Sequence, residues 1–260
     1  MRFSEVLAAG TTTDGVWSTT VSEDWLQGRS LFGGIQAALA LRAMRRLVPT
    51  DVPLRVLQTT FVAPVPAGRV AVQSRVLRTG KNVTQVEARI VDRAETSALV
   101  VGVFGRARES LVEVAPRTEV VRDEVHDETT APAHVAFAQH FDLRRLRGDR
   151  MISGSRRTDA VLEIGMKDPG ATVTEEHVLA IADAPPPLAL AFLEKPAFGS
   201  SVTWTLEMLD TGLSALSLDG WQLHIDLAAA HDGYTSQSVL VCAAGGRPVA
   251  LSRQSMVVFG

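Results

Sequence analysis

One pattern occurs twice in this chain and narrows the possible folds more than any single segment does. Gly68-Arg69 and Gly220-Trp221 each open an alternating strand, 152 residues apart. Thr84-Gln85 and Ser236-Gln237 each begin the next strand, again 152 residues apart. The turns Gly80-Lys81 and Asp232-Gly233 fall between them. In both halves a strand precedes an apolar helix, and the helix precedes an expected four-strand meander. The same order at the same spacing argues for two tandem copies of one unit.

Each copy reads as α+β. In the first half, strands are expected at 16–21, 54–63, 68–77, 84–91 and 97–105, with turns at Gly80-Lys81 and 92–95. In the second they are expected near 140–146 and at 160–166, 201–209, 221–229, 235–243 and 249–259. Two such sheets can join edge to edge, which removes exposed strand edges. A core helix wrapped by a long curved antiparallel sheet is the hotdog arrangement. The expected fold is therefore a double hotdog. Residues 1–110 form the first repeat, 111–135 an acidic, Pro-containing linker, and 136–260 the second repeat.

The two helices carry the unusual residues. Gly33 and Gly34 open an Ala/Leu-rich helix that runs to about Val48, before Pro49. Two glycines let a ligand or another chain approach the first N–H groups closely, and such an N-terminus favours negative charge. Tight packing alone would also account for them. In the second helix, Val178 to Leu193 is apolar except for Asp183. A lone carboxylate in an apolar helix is costly unless paired. Pro185, Pro186 and Pro187 follow, and they cannot occupy the middle of a helix. Asp183 thus lies at a break. It either caps a second helical piece or is an active-site acid.

Composition excludes several classes. Hydrophobic residues make up 46% and charged residues 21%, so a chain of this length can bury a core without staples. The single cysteine, Cys242, rules out an internal disulfide framework and fits a reducing, cytoplasmic setting. A formal charge of −3 suggests no nucleic-acid or anionic-membrane partner. No signal peptide or membrane span is expected. There is no G-x-S-x-G, G-x-G-x-x-G, P-loop or H-E-x-x-H motif, and the histidines lack metal-ligand spacing, so neither a metal nor a cofactor is expected. The arginines Arg144, Arg145, Arg147, Arg150, Arg156 and Arg157 precede the second helix. They suit either a phosphate-bearing ligand or a solvated face.

Four stretches together resemble the bacterial acyl-CoA thioesterase II family. Leu31-Phe32-Gly33-Gly34-Ile35-Gln36 is similar to its F-G-G-Q helix start. Ala182-Asp183 is similar to its helix aspartate, Thr205-Leu206 to its T-L-D strand, and the strand from Val249 to Gln254 to its final strand ending in Gln. Glu207 stands where that family usually has Asp. The resemblance implies a double hotdog that hydrolyses acyl-CoA with a positioned water. Asp183, Thr205 and Gln254 would be the catalytic trio, and Gly33 and Gly34 would bind substrate. The first repeat has no acid in its helix, so one site per chain is expected. A homo-oligomer, a dimer of double hotdogs, is implied too. A non-catalytic acyl-thioester-binding protein is the alternative.

Overall fold

The computed structural model describes residues 1–92, 95–122, 127–128 and 135–259. The inner residues of the expected 92–95 turn lie outside these, as do 123–126 and 129–134 of the expected linker. A short helix α1 (Phe3–Ala8) comes first, then strands β1 (Thr11–Thr13) and β2 (Val16–Val21). A small ribbon of β3 (Leu26–Gln27) and β4 (Ser30–Leu31) leads into helix α2 (Gly33–Met44). Strands β5 (Leu54–Phe61), β6 (Gly68–Thr79), β7 (Val83–Asp92) and β8 (Glu95–Gly105) complete the first repeat.

The second repeat contains β9 (Asp127–Glu128), β10 (Phe141–Arg147), β11 (Asp159–Met166) and helix α3 (Glu175–Asp183). Strands β12 (Phe198–Met208), β13 (Trp221–His231), β14 (Tyr234–Ala243) and β15 (Arg247–Phe259) follow. Within the stretch expected as linker, β9 pairs with β10. Val121, upstream of it, exchanges two hydrogen bonds with the Gln222 side chain, so this part of the connection is held to the second repeat.

All strands but β3 and β4 form one antiparallel sheet, ordered β1-β2-β6-β7-β8-β5-β12-β15-β14-β13-β11-β10-β9. Outward from the β5–β12 seam, β5-β8-β7-β6-β2-β1 corresponds to β12-β15-β14-β13-β11-β10, with β9 added at the outer edge of the second side, so the two repeats form one continuous double hotdog. One expectation needs correction. The four strands after each helix are not a simple meander, because β5 pairs with β8 and β12 with β15. That return places β5 and β12 at the repeat edges, where Leu57 pairs with Leu206 across the seam. Each edge is thereby satisfied by the other repeat.

Inside the sheet, α2 and α3 pack side by side. Ten of the twelve residues of α2 are buried, which fits its lack of a polar face. Both helices are shorter than expected. Helix α2 ends at Met44, and α3 ends at Asp183, the break the prolines impose; a 3-10 turn covers Leu188–Phe192. The two helices run in opposite directions, since Arg45, just past the end of α2, meets Glu175 at the start of α3. Arg45 Nε donates to Glu175 Oε2 at 2.9 Å, and the Leu54 N–H donates to Oε1 at 2.7 Å. The guanidinium also lies 4.7 Å from the centre of the Phe104 ring.

This ion pair joins the repeats where both side chains are largely shielded. Removing one partner of such a pair leaves the other charge uncompensated. Glu175→Ala is therefore expected to cost on the order of 3 kcal/mol, read as a lower denaturant midpoint. Replacing both partners, Arg45→Met with Glu175→Leu, should recover most of the loss. A single-variant loss below about 0.5 kcal/mol, typical of an exposed pair, would remove this clamp from the account.

Candidate active site

At the other end of the helix pair, Asp183 faces the first turn of α2. Its carboxylate accepts the Gly34 backbone N–H and a 2.9 Å hydrogen bond from Gln254 Nε2. The same Nε2 donates to Ser201 Oγ at 2.8 Å. Three elements from the second repeat and one from the first thus converge: the end of α3, strands β12 and β15, and the start of α2. The capping expectation is corrected here. Asp183 does not cap a following piece of its own helix. It ends α3 and satisfies an N-terminal donor of α2 across the repeat boundary.

The two glycines have distinct steric reasons, neither of them a left-handed backbone. A Cβ on Gly33 would lie 2.6 Å from Asp183 Oδ2 and 3.0 Å from the Phe61 ring. A Cβ on Gly34 would lie 2.6 Å from the Phe32 ring and 3.0 Å from Ala180 Cα. Gly33 makes room for the carboxylate, and Gly34 lets α2 and α3 approach. The Gly34 N–H is directed at Asp183 and favours its charged form.

Burial pushes the Asp183 carboxyl up to about 7, against the lowering effects of the Gln254 and Gly34 hydrogen bonds. Desolvation dominates because no cation among the described residues pairs with this acid, and its position at the C-terminal end of α3 adds unfavourable dipole charge. A carboxyl near neutrality can exchange a proton at physiological pH, which is what a general base requires.

Of the expected trio, the structure brings Asp183 and Gln254 together and leaves Thr205 elsewhere. Trp204 pairs with Gln254 and is buried on the inner face. Thr205, the next residue, pairs with Gln58 and Arg253, both exposed, and so faces outward. Successive strand residues point to opposite faces, so one position decides the matter. Glu207 is exposed on that same outer face. Ser201 supplies the hydroxyl beside Gln254 instead. A bulge between Ser201 and Thr203 returns Ser201 to the inner side, opposite Met256. The serine pair at the start of β12 was the available signal, but simple alternation counted back from Trp204 would not select Ser201.

The first repeat shows what the corresponding place becomes without these residues. Leu57 pairs with Gly102 as Trp204 pairs with Gln254, and Leu54 pairs with Phe104 as Ser201 pairs with Met256. Gly102, the counterpart of Gln254, faces the Met44 sulfur and the Phe104 ring. The ninth residue of α2 is the buried Leu41, where α3 has Asp183. The inner strands match at two spacings: Gln254 lies 152 residues after Gly102, but Gln237 lies 151 after Val86. The uniform sequence spacing therefore slips by one on that strand.

The arginine-rich stretch before α3 is held in local structure. Arg144 pairs with Glu163, Arg147 with Glu119 and Arg157 with Asp159. Arg145 is buried and donates to the Gly148 carbonyl.

Two family models match the chain: an acyl-CoA thioesterase N-terminal domain over residues 21–105, and an acyl-CoA thioesterase C-terminal domain over residues 117–258. No curated protein matches it. Among solved structures, a hotdog-fold protein from Alicyclobacillus acidocaldarius has a TM-score of 0.87 at 19% identity, covering 99% of this chain and 98% of the other. Acyl-CoA thioesterase II from Mycobacterium marinum has a TM-score of 0.77 at 13% identity, covering 99% and 98%. The dehydratase domain of RzxB from Pseudomonas fluorescens has a TM-score of 0.59 at 13% identity, with full coverage of both chains. These likenesses show the fold; the presence of a dehydratase among them illustrates that fold does not set the reaction.

The tighter hold on the Asp183 proton affects folding stability. The folded state holds the Asp183 proton more tightly than the unfolded chain, whose ordinary value is 3.8. Folding stability is therefore lost as pH rises from about 4 to about 7 and stays low above that. Asp183→Asn removes this dependence while keeping an oxygen for Gln254 and Gly34. The variant should exceed the wild type in stability by on the order of 1–3 kcal/mol at pH 8, with the gap closing at pH 4. Melting temperatures that differ equally at both pH values would contradict the assignment.

Proposed function

As the chain belongs to the acyl-CoA thioesterase family, we propose that it hydrolyses acyl-CoA thioesters with a water held by Asp183, Gln254 and Ser201. The observation that carries this reading is the half-buried carboxyl, raised to about 7, that Gln254 links to Ser201 at the first turn of α2.

In this mechanism the deprotonated Asp183 takes a proton from the water as its oxygen attacks the thioester carbonyl. Gln254 uses the two hydrogens of its amide NH2 for Asp183 and Ser201, which leaves its carbonyl oxygen to accept a hydrogen from the water. Ser201 accepts from Gln254, so its own O–H can donate to the water oxygen. The developing oxyanion is stabilised by the N-terminal end of α2, where the Gly33 N–H is the proposed donor. The C–S bond then breaks, and the departing thiolate takes the proton from Asp183. No covalent acyl-enzyme is needed, because the thioester is already electrophilic and the water is positioned.

Thiol release from an acyl-CoA series tests the proposal. Asp183→Asn and Gln254→Ala should each lower kcat/KM by about a hundredfold or more, within the range for a lost general base or orienting group. Ser201→Ala should lose roughly tenfold, whereas Thr205→Ala should stay near wild type. Wild-type rates in both Asp183→Asn and Gln254→Ala would defeat the mechanism. Saturable acyl-CoA binding with no thiol release would instead make the chain a non-catalytic acyl-thioester binder.

The pH profile is a separate check. Asp183 works as a base, so activity should rise through pH about 7 and level off above it. A profile flat from pH 5 to 9 would mean that another group, or none, accepts the proton.

A further inference from the structure

On the opposite face of the sheet from Asp183, a cavity of about 290 Å³ lies at the β6–β7 hairpin. Arg78, Lys81, Asn82, Val83 and Gln85 line it, with Arg108 from the chain beyond β8. Its orientation follows from the register. Val86 is buried on the inner face, so Gln85 points outward, and Arg78 is its cross-strand partner. The cavity sits where β8 ends, since Val83 pairs with Gly105, and beside the start of β5, since the Gly105 N–H donates to the Pro53 carbonyl. Phe61, against Gly33, closes the far end of β5. The length of that strand puts the cavity roughly 20 Å from the Asp183 cluster along the sheet alone.

Neighbouring cations are paired with carboxylates. On the same two strands, Arg75 and Arg89 share the Glu87 carboxylate at 3.1 and 2.8 Å. Two residues before Arg108, Arg106 pairs with Asp51 at 2.6 Å. Arg78, Lys81 and Arg108 have no carboxylate among the residues lining their cavity. Three cations around one concavity repel one another, and a cleft lined by one sign of charge concentrates counter-ions. A chain with net charge −3 places three cations here, with no carboxylate ion pair to any of them among the described residues.

We propose that this cavity binds the phosphate end of a small phosphorylated ligand. The guanidiniums of Arg78 and Arg108 can each offer a two-pronged set of donors to phosphate oxygens, and Lys81 adds a compact charge. The amides of Asn82 and Gln85 supply neutral donors and acceptors for an ester oxygen or a sugar hydroxyl. Val83 adds an apolar wall. The volume equals about ten water molecules at ~30 Å³ each, which leaves room for a diphosphate or for a phosphate with a sugar attached. The phosphate can come from the nucleotide portion of a coenzyme or from a free phosphate or diphosphate. The site does not depend on the hydrolytic reading, because it shares no residue with the Asp183 cluster.

Calorimetric titration at low salt, with inorganic phosphate, pyrophosphate and adenosine 3′,5′-bisphosphate as probes, tests the proposal. Saturable binding of at least one probe is expected, equally in the wild type and in Asp183→Asn. Arg78→Glu with Lys81→Glu should weaken it tenfold or more, and Arg108→Gln severalfold. Arg78→Gln with Lys81→Gln, a milder change, should also weaken it and guards against misfolding of the charge-reversed pair. Charge reversal at the exposed Arg46, outside the cavity, should leave affinity unchanged. Tighter binding of the bisphosphate than of pyrophosphate supports the nucleotide source, and equal affinity supports the phosphate source. Absence of saturable binding by all three probes overturns the site. So does undiminished affinity in the two double variants, or an equal loss in Arg46→Glu, which would reflect diffuse surface charge.

Discussion

The approach of one carboxylate to the first turn of another helix holds the site together. Asp183 ends α3 and accepts from Gly34 at the start of α2, so the cluster exists only where both repeats are in place. That contact requires a glycine at position 33, since a Cβ there would stand 2.6 Å from the carboxylate. Two helix ends act on the acid in opposite senses. The start of α2 favours its charge and the end of α3 opposes it. Burial then tips the balance towards the proton. The result is an acid poised near neutrality, held by an amide and a backbone donor.

The two ends of the helix pair illustrate two ways to bring a carboxylate into a protein interior. Glu175 receives an arginine and a backbone N–H and acts as a clamp between repeats. Asp183 receives only neutral donors among the described residues and keeps its proton labile. The difference in partner charge separates an architectural acid from one suited to chemistry. Duplication supplied two equivalent places on the sheet, and the side chains then diverged. Gly102, Leu54 and Leu41 make the first apolar and filled, while Gln254, Ser201 and Asp183 make the second polar.

Acyl-CoA thioesterase domains span both repeats, and the continuous sheet explains why the repeats form one unit. The β5–β12 seam pairs Leu57 with Leu206 and leaves neither edge open. It also sets Phe61, at the end of β5, beside Gly33 on the first-repeat side of the cluster. The proposed chemistry is thus a property of the joined sheet and not of one half.

The amino-acid order by itself determined the duplicated α+β pattern, the two apolar helices, the break after Asp183 and most strand positions. These follow from local rules: alternation for strands, an apolar surface for a buried helix, and proline where a helix must stop. Asp183 stood out because a lone acid in an apolar run is expensive, and Gln254 entered through its family resemblance. Only the tertiary structure decided which hydroxyl joins them. A strand's facing changes with every residue, and the bulge before Thr203 shifts the count by one. Ser201 therefore turns inward and Thr205 outward, although nothing in the local composition separates them. The pairing of β5 with β8, the antiparallel docking of α2 on α3, and the Gly34–Asp183 bond were likewise beyond local reading, because each joins residues far apart in the chain.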